Sequence, residues 1–357
     1  MEQFENLEVR LIEALQPIRS FVVATAIHHL FQTGVYDALR EQPVLERALS
    51  EALEFDLVRL QALSQFLANE GLLSRTGGLL SLTDKSRALE DFRGWYTMLI
   101  GGYGGTFLQL GDALKRDASH ATRRADLVGI GSCAISHYDA IPLTRSLMSR
   151  IPGGVKRILD LGCGNALYLV EFCKLLPEIE AWGVEPDRAG YEAASALVKR
   201  EQLDHRVHLT CSGAVEFFKK PIDFSPDLTV LGFVLHEILG QDGEEVVVDF
   251  LRKLTERYPD IHLVVIEVDQ QMEDPAVMRH GLSLAYYNQY FLLHPFTRQR
   301  LETRAFWAEL FERAGLELMA EETVNPRVDS TGLEVGYLLR RARTGAEAAV
   351  LRKTDAR

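Results

Sequence analysis

Apolar residues recur along the chain at two different spacings, and the spacing changes near its middle. Between residues 7 and 115 they return every three or four positions, as at Phe21, Ala24, Ile27, His28 and Phe31, which is typical of amphipathic helices. From residue 156 onward, short apolar runs alternate with helical patterns, which predicts an α/β fold with a mainly parallel sheet. The predicted strands lie near 157–161, 180–184, 206–210, 227–231, 262–267, 316–323 and 333–340.

The pattern divides the chain into a helical domain, a helical connector, an α/β domain and a polar tail that we expect to be mobile. In order, these segments span residues 1–90, 91–150, 151–342 and 343–357. Within the first, the stretch 70–83 predicts two short strands around a Gly-Gly turn, which after helices indicates a winged helix. The connector is rich in glycine and aromatic residues, and we expect it to form a substrate wall.

The first domain has two candidate partners, a second copy of the chain or DNA. Its helices carry Phe21, Ile27, Leu30 and Phe31 and are too apolar for one small domain, which predicts a homodimer. A winged helix also suits a DNA-binding regulator that senses a small ligand. The helix before the wing is acidic, however, with Arg59 as its nearby cation, so a face that reads phosphates is missing.

Composition points to a small-molecule substrate. The 357 residues include 39 Lys and Arg against 51 Asp and Glu, a net charge of -12, which opposes non-specific attraction to nucleic acid or anionic lipid. No apolar run approaches the roughly 20 residues that span a bilayer, and the acidic start is unlike a signal peptide, so we expect a cytoplasmic protein. The four cysteines show no metal-ligand spacing, and we assign them no redox role.

The segment 157–164, Arg-Ile-Leu-Asp-Leu-Gly-Cys-Gly, carries the clearest chemical signal. An apolar strand ends at Asp160, and Gly162 and Gly164 let the backbone approach a ligand closely before a helix begins. The third glycine of a dinucleotide fingerprint is absent, which argues against NAD. A second acid, Glu185, ends the next strand, where a carboxylate can accept both hydroxyls of a ribose.

These residues resemble the cofactor site of class I methyltransferases that use S-adenosylmethionine (SAM). The resemblance implies a Rossmann-like seven-stranded sheet whose last hairpin runs against the other strands, and a SAM site that includes a loop beside the adenine. The SAM-binding residues that it implies are Asp160, Gly162, Gly164, Glu185, Ser212, Gly213, Ala214 and Gly232. In small-molecule methyltransferases of this class the N-terminal winged-helix domain dimerises, so the resemblance also implies a homodimer.

A histidine follows the fourth predicted strand of the α/β domain. His236 lies just beyond the carboxyl edge of the sheet, where the methyl group of SAM would be presented. Its segment resembles the His-Asp-Trp motif of winged-helix O-methyltransferases, whose histidine is the general base, with Glu237 and Ile238 in the other two positions. This resemblance implies that His236 and Glu237 are catalytic, and one interpretation is an O-methyltransferase of a small phenolic or enolic metabolite.

The chain resembles bacterial C-methyltransferases of α-keto acids, such as phenylpyruvate, more closely. In those enzymes this histidine and a later one hold a metal, which implies a divalent or ferric ion at His236 and His294 that stabilises the enolate. The third ligand of that family is a methionine, and Phe233 stands at its position here. Either Gln289 or Glu267 completes the shell, or the metal is absent and His236 is the base, because a metal-bound imidazole nitrogen cannot also accept a proton.

Two further segments, 11–19 and 101–107, resemble the branch of these enzymes whose keto acid carries a guanidinium group. Such a side chain requires a carboxylate in its pocket. The candidates are Glu237, Glu267, Asp139 and Asp269. Our predicted substrate contacts are Tyr103, Tyr138 and Glu267. We therefore expect methylation at C3 of a small α-keto acid, in the biosynthesis of a natural product or a modified amino acid.

Overall fold

The computed structural model describes residues 6–218 and 223–342, so the predicted mobile tail 343–357 lies outside the described residues. The chain forms two compact units, Met1–Gly105 and Thr106–Arg357. Their boundary falls inside the predicted connector 91–150, which is divided between the units. Within the described ranges, no helix is both long and apolar enough to cross a membrane.

The first unit is helical with a small sheet, as the apolar spacing predicts. Its helices are α1 (Leu7–Gln32), α2 (Val35–Leu39), α3 (Glu46–Ala52), α4 (Leu57–Asn69), α5 (Asp84–Arg87) and α6 (Arg93–Trp95), followed by the π-helical segment Tyr96–Gly102. The two predicted wing strands are β2 (Leu73–Thr76) and β3 (Leu79–Leu82), and the short β1 (Val44–Leu45), which the sequence analysis missed, pairs with β3. Asp56 starts α4 by accepting a hydrogen bond from the Arg59 amide at 2.9 Å.

One expectation about this unit needs correction. The dimer was expected to bury Ile27, Leu30 and Phe31. These residues are instead buried in the unit's own core, beside Tyr36 and Leu67. Close packing inside a helical domain therefore accounts for their apolar character. The exposed apolar residues of α1 lie nearer its start and are Leu7, Val9, Leu11, Ile12, Leu15, Ile18, Phe21 and Val22.

The second unit alternates strands and helices. The strands are β4 (Arg157–Leu161), β5 (Glu180–Glu185), β6 (Val207–Cys211), β7 (Leu228–Gly232), β8 (His262–Val268), β9 (Leu316–Thr323) and β10 (Glu334–Arg341). The helices are α7 (Gly104–Ala113, which contains the unit boundary), α8 (Ala125–Ser136), α9 (Ala140–Met148), α10 (Leu167–Leu175), α11 (Arg188–Arg200), α12 (Ala214–Phe217), α13 (Leu235–Asp242), α14 (Glu244–Arg257), α15 (Pro275–Met278), α16 (Asn288–Phe296) and α17 (Arg304–Arg313). A π-helical segment, Ser283–Tyr287, precedes α16.

Over the described residues, the seven strands of the second unit form one sheet in the order β6-β5-β4-β7-β8-β10-β9. Strands β4 to β8 are parallel, and β10 runs antiparallel to both β8 and β9. The predicted fold class is thus confirmed, including the reversed last hairpin. Because parallel strands end at one edge, the loops after β4, β5, β7 and β8 open there together with the start of β10.

Apolar helices cover both faces of this sheet. On one face, α9, α10 and α11 pack against residues such as Ile158 and Val264, and on the other α13, α14 and α17 pack against residues such as Leu159 and Val265. The alternation of neighbouring residues between faces follows from the two-residue period of a strand. A sheet filled on both faces leaves its carboxyl edge as the place for polar chemistry.

Candidate active site

The glycine turn after β4 is built for close packing. Gly162 and Gly164 have φ values of +86° and +54°, a region that favours glycine. A Cβ at Gly162 would lie 2.6 Å from Val234 Cγ2, and one at Gly164 would lie 2.8 Å from Cys133 Sγ. The amides of Gly162 and Cys163 both donate to the Val184 carbonyl, at 2.8 and 3.0 Å. Any side chain at either glycine would therefore displace the turn.

Glu185, at the end of β5, is tied to this turn by backbone amides. Its Oε2 accepts a hydrogen bond from the Gly164 amide at 2.8 Å, and its Oε1 accepts one from the Asp187 amide at 2.9 Å. Burial raises the pKa of Glu185, while these two amides act in the opposite direction. The carboxylate thus lies at the edge of the sheet with its orientation fixed, as a ribose acceptor requires.

Asp160 lies in β4, two residues before the turn, and is buried. Burial, followed by the repulsion of Glu185, raises the pKa of Asp160 to about 7. Two carboxyls close together in a buried site favour a ligand that brings positive charge. The sulfonium group of SAM has that charge.

The other predicted SAM residues follow the neighbouring strands. The Ser212 amide donates to the Glu185 carbonyl at 3.0 Å, which joins the loop after β6 to the end of β5. Gly213 and Ala214 lead directly into α12. Gly232 is the last residue of β7, and a Cβ there would meet nothing within 4 Å. These four residues lie on the sheet edge that carries Glu185 and the glycine turn.

His236 begins a second group on the same edge. It lies in the first turn of α13 and is only 2% exposed, and its Nδ1 lies 2.7 Å from Oε2 of Glu267, which is 1% exposed. The His236 amide also donates to Glu267 Oε1 at 3.2 Å. Because a carboxylate only accepts, Nδ1 carries the hydrogen and Nε2 presents a lone pair. The His236–Glu267 pair therefore holds the imidazole in the tautomer that a general base needs.

The electrostatics of His236 favour proton uptake. Burial acts to lower the pKa of His236, but the Glu267 carboxylate and, more weakly, Glu237 outweigh it, so the pKa is raised from its ordinary value. The turn that presents this imidazole is strained, since Phe233 adopts a φ of +58° between β7 and α13. Such a conformation in a residue other than glycine costs roughly 1–3 kcal/mol and is often found at functional sites.

The structure brings His294, in α16, next to His236. The two ring centroids are 5.1 Å apart at an edge-to-face angle of 63°, although the residues are separated by almost sixty positions in sequence. The Nδ1 of His294 donates to the Tyr290 carbonyl at 2.6 Å, which leaves its Nε2 as the lone-pair nitrogen. Burial and the neighbouring His236 lower the pKa of His294 well below its usual range. The imidazole of His294 is thus a neutral one.

Glu237 and Gln299 complete this group. Glu237 Oε1 accepts hydrogen bonds from Arg123 Nη2 at 2.8 Å and from Gln299 Nε2 at 2.9 Å. Gln299 Nε2 also lies 3.3 Å from His236 Nε2, and its Oε1 accepts from the Thr297 hydroxyl at 2.7 Å. Sequence reasoning missed Arg123 and Gln299, because neither belongs to a motif near His236. The catalytic role of Glu237 stays a prediction, and its carboxylate forms an ion pair with Arg123.

The remaining predicted residues belong to several different elements. Tyr138 is half-buried just before α9, and Tyr103 is buried in the first unit. Gln289, a candidate third metal ligand at the start of α16, donates to the Ala285 carbonyl in the preceding π-helical segment. Both carboxylate oxygens of Glu267, the other candidate, already contact His236: Oε1 accepts from its amide and Oε2 from its Nδ1. In the described part of the chain, no group of three or more His, Cys, Asp or Glu side chains is arranged to hold a metal ion.

A seven-stranded sheet with a reversed hairpin, a glycine turn after its first strand and an acid ending the second defines a class I SAM-dependent methyltransferase. Solved structures share the fold. The mitomycin 7-O-methyltransferase MmcR matches with a TM-score of 0.64 and 20% identity over 94% of this chain and 99% of that one. Human N-acetylserotonin methyltransferase, solved with SAM, matches with a TM-score of 0.65 and 16% identity over 96% and 100%.

At the sequence level, the chain is 42% identical to 2-ketoarginine methyltransferase from Streptomyces arginensis over 348 residues, 96% of this chain and 99% of that protein. The chain belongs to the family of 2-ketoarginine methyltransferase and is a SAM-dependent methyltransferase. No protein-family model matches it.

Proposed function

We propose that this enzyme transfers the methyl group of SAM to C3 of 2-ketoarginine, giving 5-guanidino-3-methyl-2-oxopentanoate, a step that suits the biosynthesis of a modified amino acid or an antibiotic. The choice of substrate rests on the relative that is 42% identical over almost the whole chain. At that identity the reaction class is commonly shared, whereas the substrate side chain has to be tested.

The geometric observation that carries the proposal is the buried His236–Glu267 pair, with 2.7 Å between Nδ1 and Oε2. Methylation at carbon requires a carbanion-like nucleophile, which an α-keto acid provides by losing a C3 proton to give an enolate. His236 Nε2 receives that proton, and Glu267 stabilises the imidazolium that forms. The enolate carbon then attacks the methyl group of SAM, and S-adenosylhomocysteine leaves.

The metal implied by the sequence resemblance would be held by Nε2 of His294 and Nε2 of His236, which Gln299 Nε2 now approaches at 3.3 Å, while both Nδ1 atoms are engaged by the protein. The described residues contain no group of three or more His, Cys, Asp or Glu side chains arranged to hold a metal ion, so the two imidazoles are the ligands that the described chain would contribute. When bound, such an ion would supply Lewis-acid stabilisation of the enolate. Elemental analysis of the purified enzyme tests this, because one equivalent of bound metal would assign His236 to coordination rather than proton transfer.

We also propose that the enzyme is a homodimer that uses the first half of α1. The exposed apolar residues of α1 occur at spacings of three and four, with Ile12 and Ile18 exposed by 55% and 61%. A helix with such a surface is stabilised by packing against another chain. Light scattering at micromolar concentration should give twice the mass of the chain, and the single-chain mass would contradict the dimer.

Product analysis tests the reaction itself. The enzyme is incubated with 2-ketoarginine and SAM that carries a 13C-labelled methyl group, and the product is examined by mass spectrometry and NMR. We expect one added methyl group bonded to C3. A methyl group on oxygen would instead assign an O-methyltransferase, and turnover of phenylpyruvate without turnover of 2-ketoarginine would contradict the substrate.

A further inference from the structure

Three buried carboxyl groups lie at the carboxyl edge of the large sheet, apart from the glycine turn. Asp139, Asp329 and Glu334, here called the acidic trio, are 8%, 6% and 4% exposed. Glu334 is the first residue of β10 and is in register with Val268 at the end of β8. It therefore lies at the edge where the parallel strands end. Asp329 belongs to the loop between β9 and β10, and Asp139 directly precedes α9.

Close packing of α9 on β10 brings Asp139 to this place. A Cβ at Gly336 would lie 2.8 Å from Leu147 Cδ1 and 3.0 Å from Leu143 Cδ2, so glycine lets the helix approach without moving these leucines. Two residues earlier on the same strand and face is Glu334, near the start of the helix. Burial, and then the repulsion of the Asp139 and Asp329 carboxyls, raises the pKa of Glu334, as expected for neighbouring carboxyls.

The hydrogen bonds of the trio leave one acceptor open. Asp329 Oδ1 accepts from the amide and hydroxyl of Thr331 at 2.8 and 2.6 Å, and its Oδ2 accepts from the Tyr287 hydroxyl. Asp139 accepts from the Ala140 amide. Glu334 Oε1, by contrast, is buried and receives no hydrogen bond from an N–H or hydroxyl donor of the described residues, and its carboxyl faces that of Asp139, with which it shares a hydrogen bond while one of the two is protonated. Once both carboxyls are ionised this pair lacks a donor, which a group from outside the protein can supply.

The charge of the trio is also unbalanced. The charged groups that act most strongly on the carboxyls of Asp139 and Glu334 are other carboxyls of the trio, not cations. Burial raises the pKa of Asp139 to about 7 and that of Glu334 well above its usual range. The pair therefore retains a proton near neutral pH in the absence of a ligand, and a cation would replace that proton.

We propose that the acidic trio binds the guanidinium group of the substrate, with Glu334 as the acceptor that the protein leaves open. This inference rests on the proposed function, since 2-ketoarginine supplies a planar cation with several N–H donors. In the sheet order, the SAM-side strands β5 and β4 lie on one side of β7, and β8 and β10 lie on the other. Along this order, His236 after β7 and Glu267 in β8 come between the SAM-side strands and β10, which carries Glu334.

The trio makes substrate binding depend on pH in a defined direction. The titratable groups that face Asp139 and Glu334 are Asp329, Tyr287 and Tyr168, and both tyrosines have pKa values raised well above their usual range by burial. Between pH 6 and 8 the carboxyl pair is therefore the group that titrates. Because a cation binds the ionised pair, affinity for a guanidinium ligand should rise as the pH increases through about 7.

The first experiment uses methylguanidinium as the probe and requires no turnover. We expect titration calorimetry at pH 7, in two buffers of different ionisation enthalpy, to show a proton released as the probe binds. Glu334→Gln should weaken binding at least about tenfold, as expected for loss of a charge-assisted hydrogen bond. Equal affinity of the wild type and the variant would overturn the proposal.

The second experiment measures specificity with the intact enzyme. Glu334→Gln should lower kcat/KM for 2-ketoarginine at least about tenfold and leave that for 2-oxohexanoate, which has no cation, within about twofold. The matched control is Glu322→Gln on β9, whose carboxylate pairs with Arg150. An equal loss for both substrates would assign the trio a purely structural role. If the wild type methylates neither keto acid, the proposed function is wrong. The methylguanidinium titration still shows whether the trio binds a guanidinium group.

Discussion

The carboxyl edge of the large sheet holds two groups of polar residues that are fixed in different ways. On the cofactor side, backbone amides of the glycine turn and of Asp187 orient Glu185. On the substrate side, side chains orient one another, as Glu267 orients His236 and Gln299 contacts both His236 and Glu237. The contrast teaches that cofactor binding depends on a local turn, whereas proton transfer depends on a network drawn from several loops. Substitutions should therefore separate the two activities.

The largest expected effect is on the substrate side. Replacing His236 by alanine should lower turnover by about 10²–10⁴-fold, the usual contribution of a general base, and leave SAM affinity unchanged. Steady-state kinetics and calorimetric titration of SAM measure the two quantities. His205→Gln, in an exposed loop, is the control. A parallel loss of SAM affinity in His236→Ala would break the separation of the two groups.

On the cofactor side, Glu185→Gln should weaken SAM binding about 10- to 100-fold, because an ionised acceptor of hydrogen bonds typically contributes about 1.5–3 kcal/mol. At saturating SAM, turnover should stay close to the wild-type value. Glu180→Gln, at the exposed start of the same strand, serves as the control. Wild-type SAM affinity in the Glu185 variant would remove this residue from the site.

A smaller effect is expected for the carboxylate behind the base. Glu267→Gln keeps the shape of the side chain but removes the charge that holds the imidazole, so turnover should fall about 10-fold, toward the low end for partners of this kind. SAM affinity should not change. Unchanged turnover would show that Glu267 packs against His236 without orienting it.

These two groups also differ in how far the sequence predicts them. The glycine turn and Glu185 follow from one continuous βαβ segment, in which strand, turn and helix signals lie side by side. The partners of His236 come from β8, α16 and the loop after it, so only the folded chain shows that Glu267 and Gln299 meet it. Sequence reasoning did select His294 by resemblance and Glu267 as a candidate carboxylate, but it assigned Glu267 to the substrate or a metal rather than to the imidazole. Arg123 and Gln299 carried no signal at all.

The same reasoning explains the misjudged helix surface in the first unit. A spacing of three and four residues predicts a buried stripe on α1, yet it does not say whether the stripe faces the unit's own core or another molecule. Ile27, Leu30 and Phe31 face the core, and Ile12 and Ile18 are exposed. Packing partners therefore have to be taken from the structure.

The smallest expected effect concerns pH on the cofactor side. Burial and Glu185 raise the pKa of Asp160 to about 7, so below that pH the carboxyl is neutral and attracts the sulfonium less. SAM affinity should fall a few-fold as the pH decreases from 8 to 6, and Asp160→Asn should abolish this dependence.

The same shift affects folding. By linkage, the contribution of Asp160 to the free energy of folding is present at low pH and is lost as the pH rises through about 7. Calorimetric titration across this range checks the first expectation, and a wild-type affinity independent of pH would contradict it.

We expect His236 to remove the C3 proton of the substrate independently of methyl transfer. Exchange of the C3 hydrogens of 2-ketoarginine for deuterium, followed by NMR in D2O with S-adenosylhomocysteine in place of SAM, tests it most directly. The wild-type enzyme should exchange these hydrogens well above the rate without enzyme, and His236→Ala should not. Exchange by His236→Ala at the wild-type rate would show that a group other than His236 removes the C3 proton.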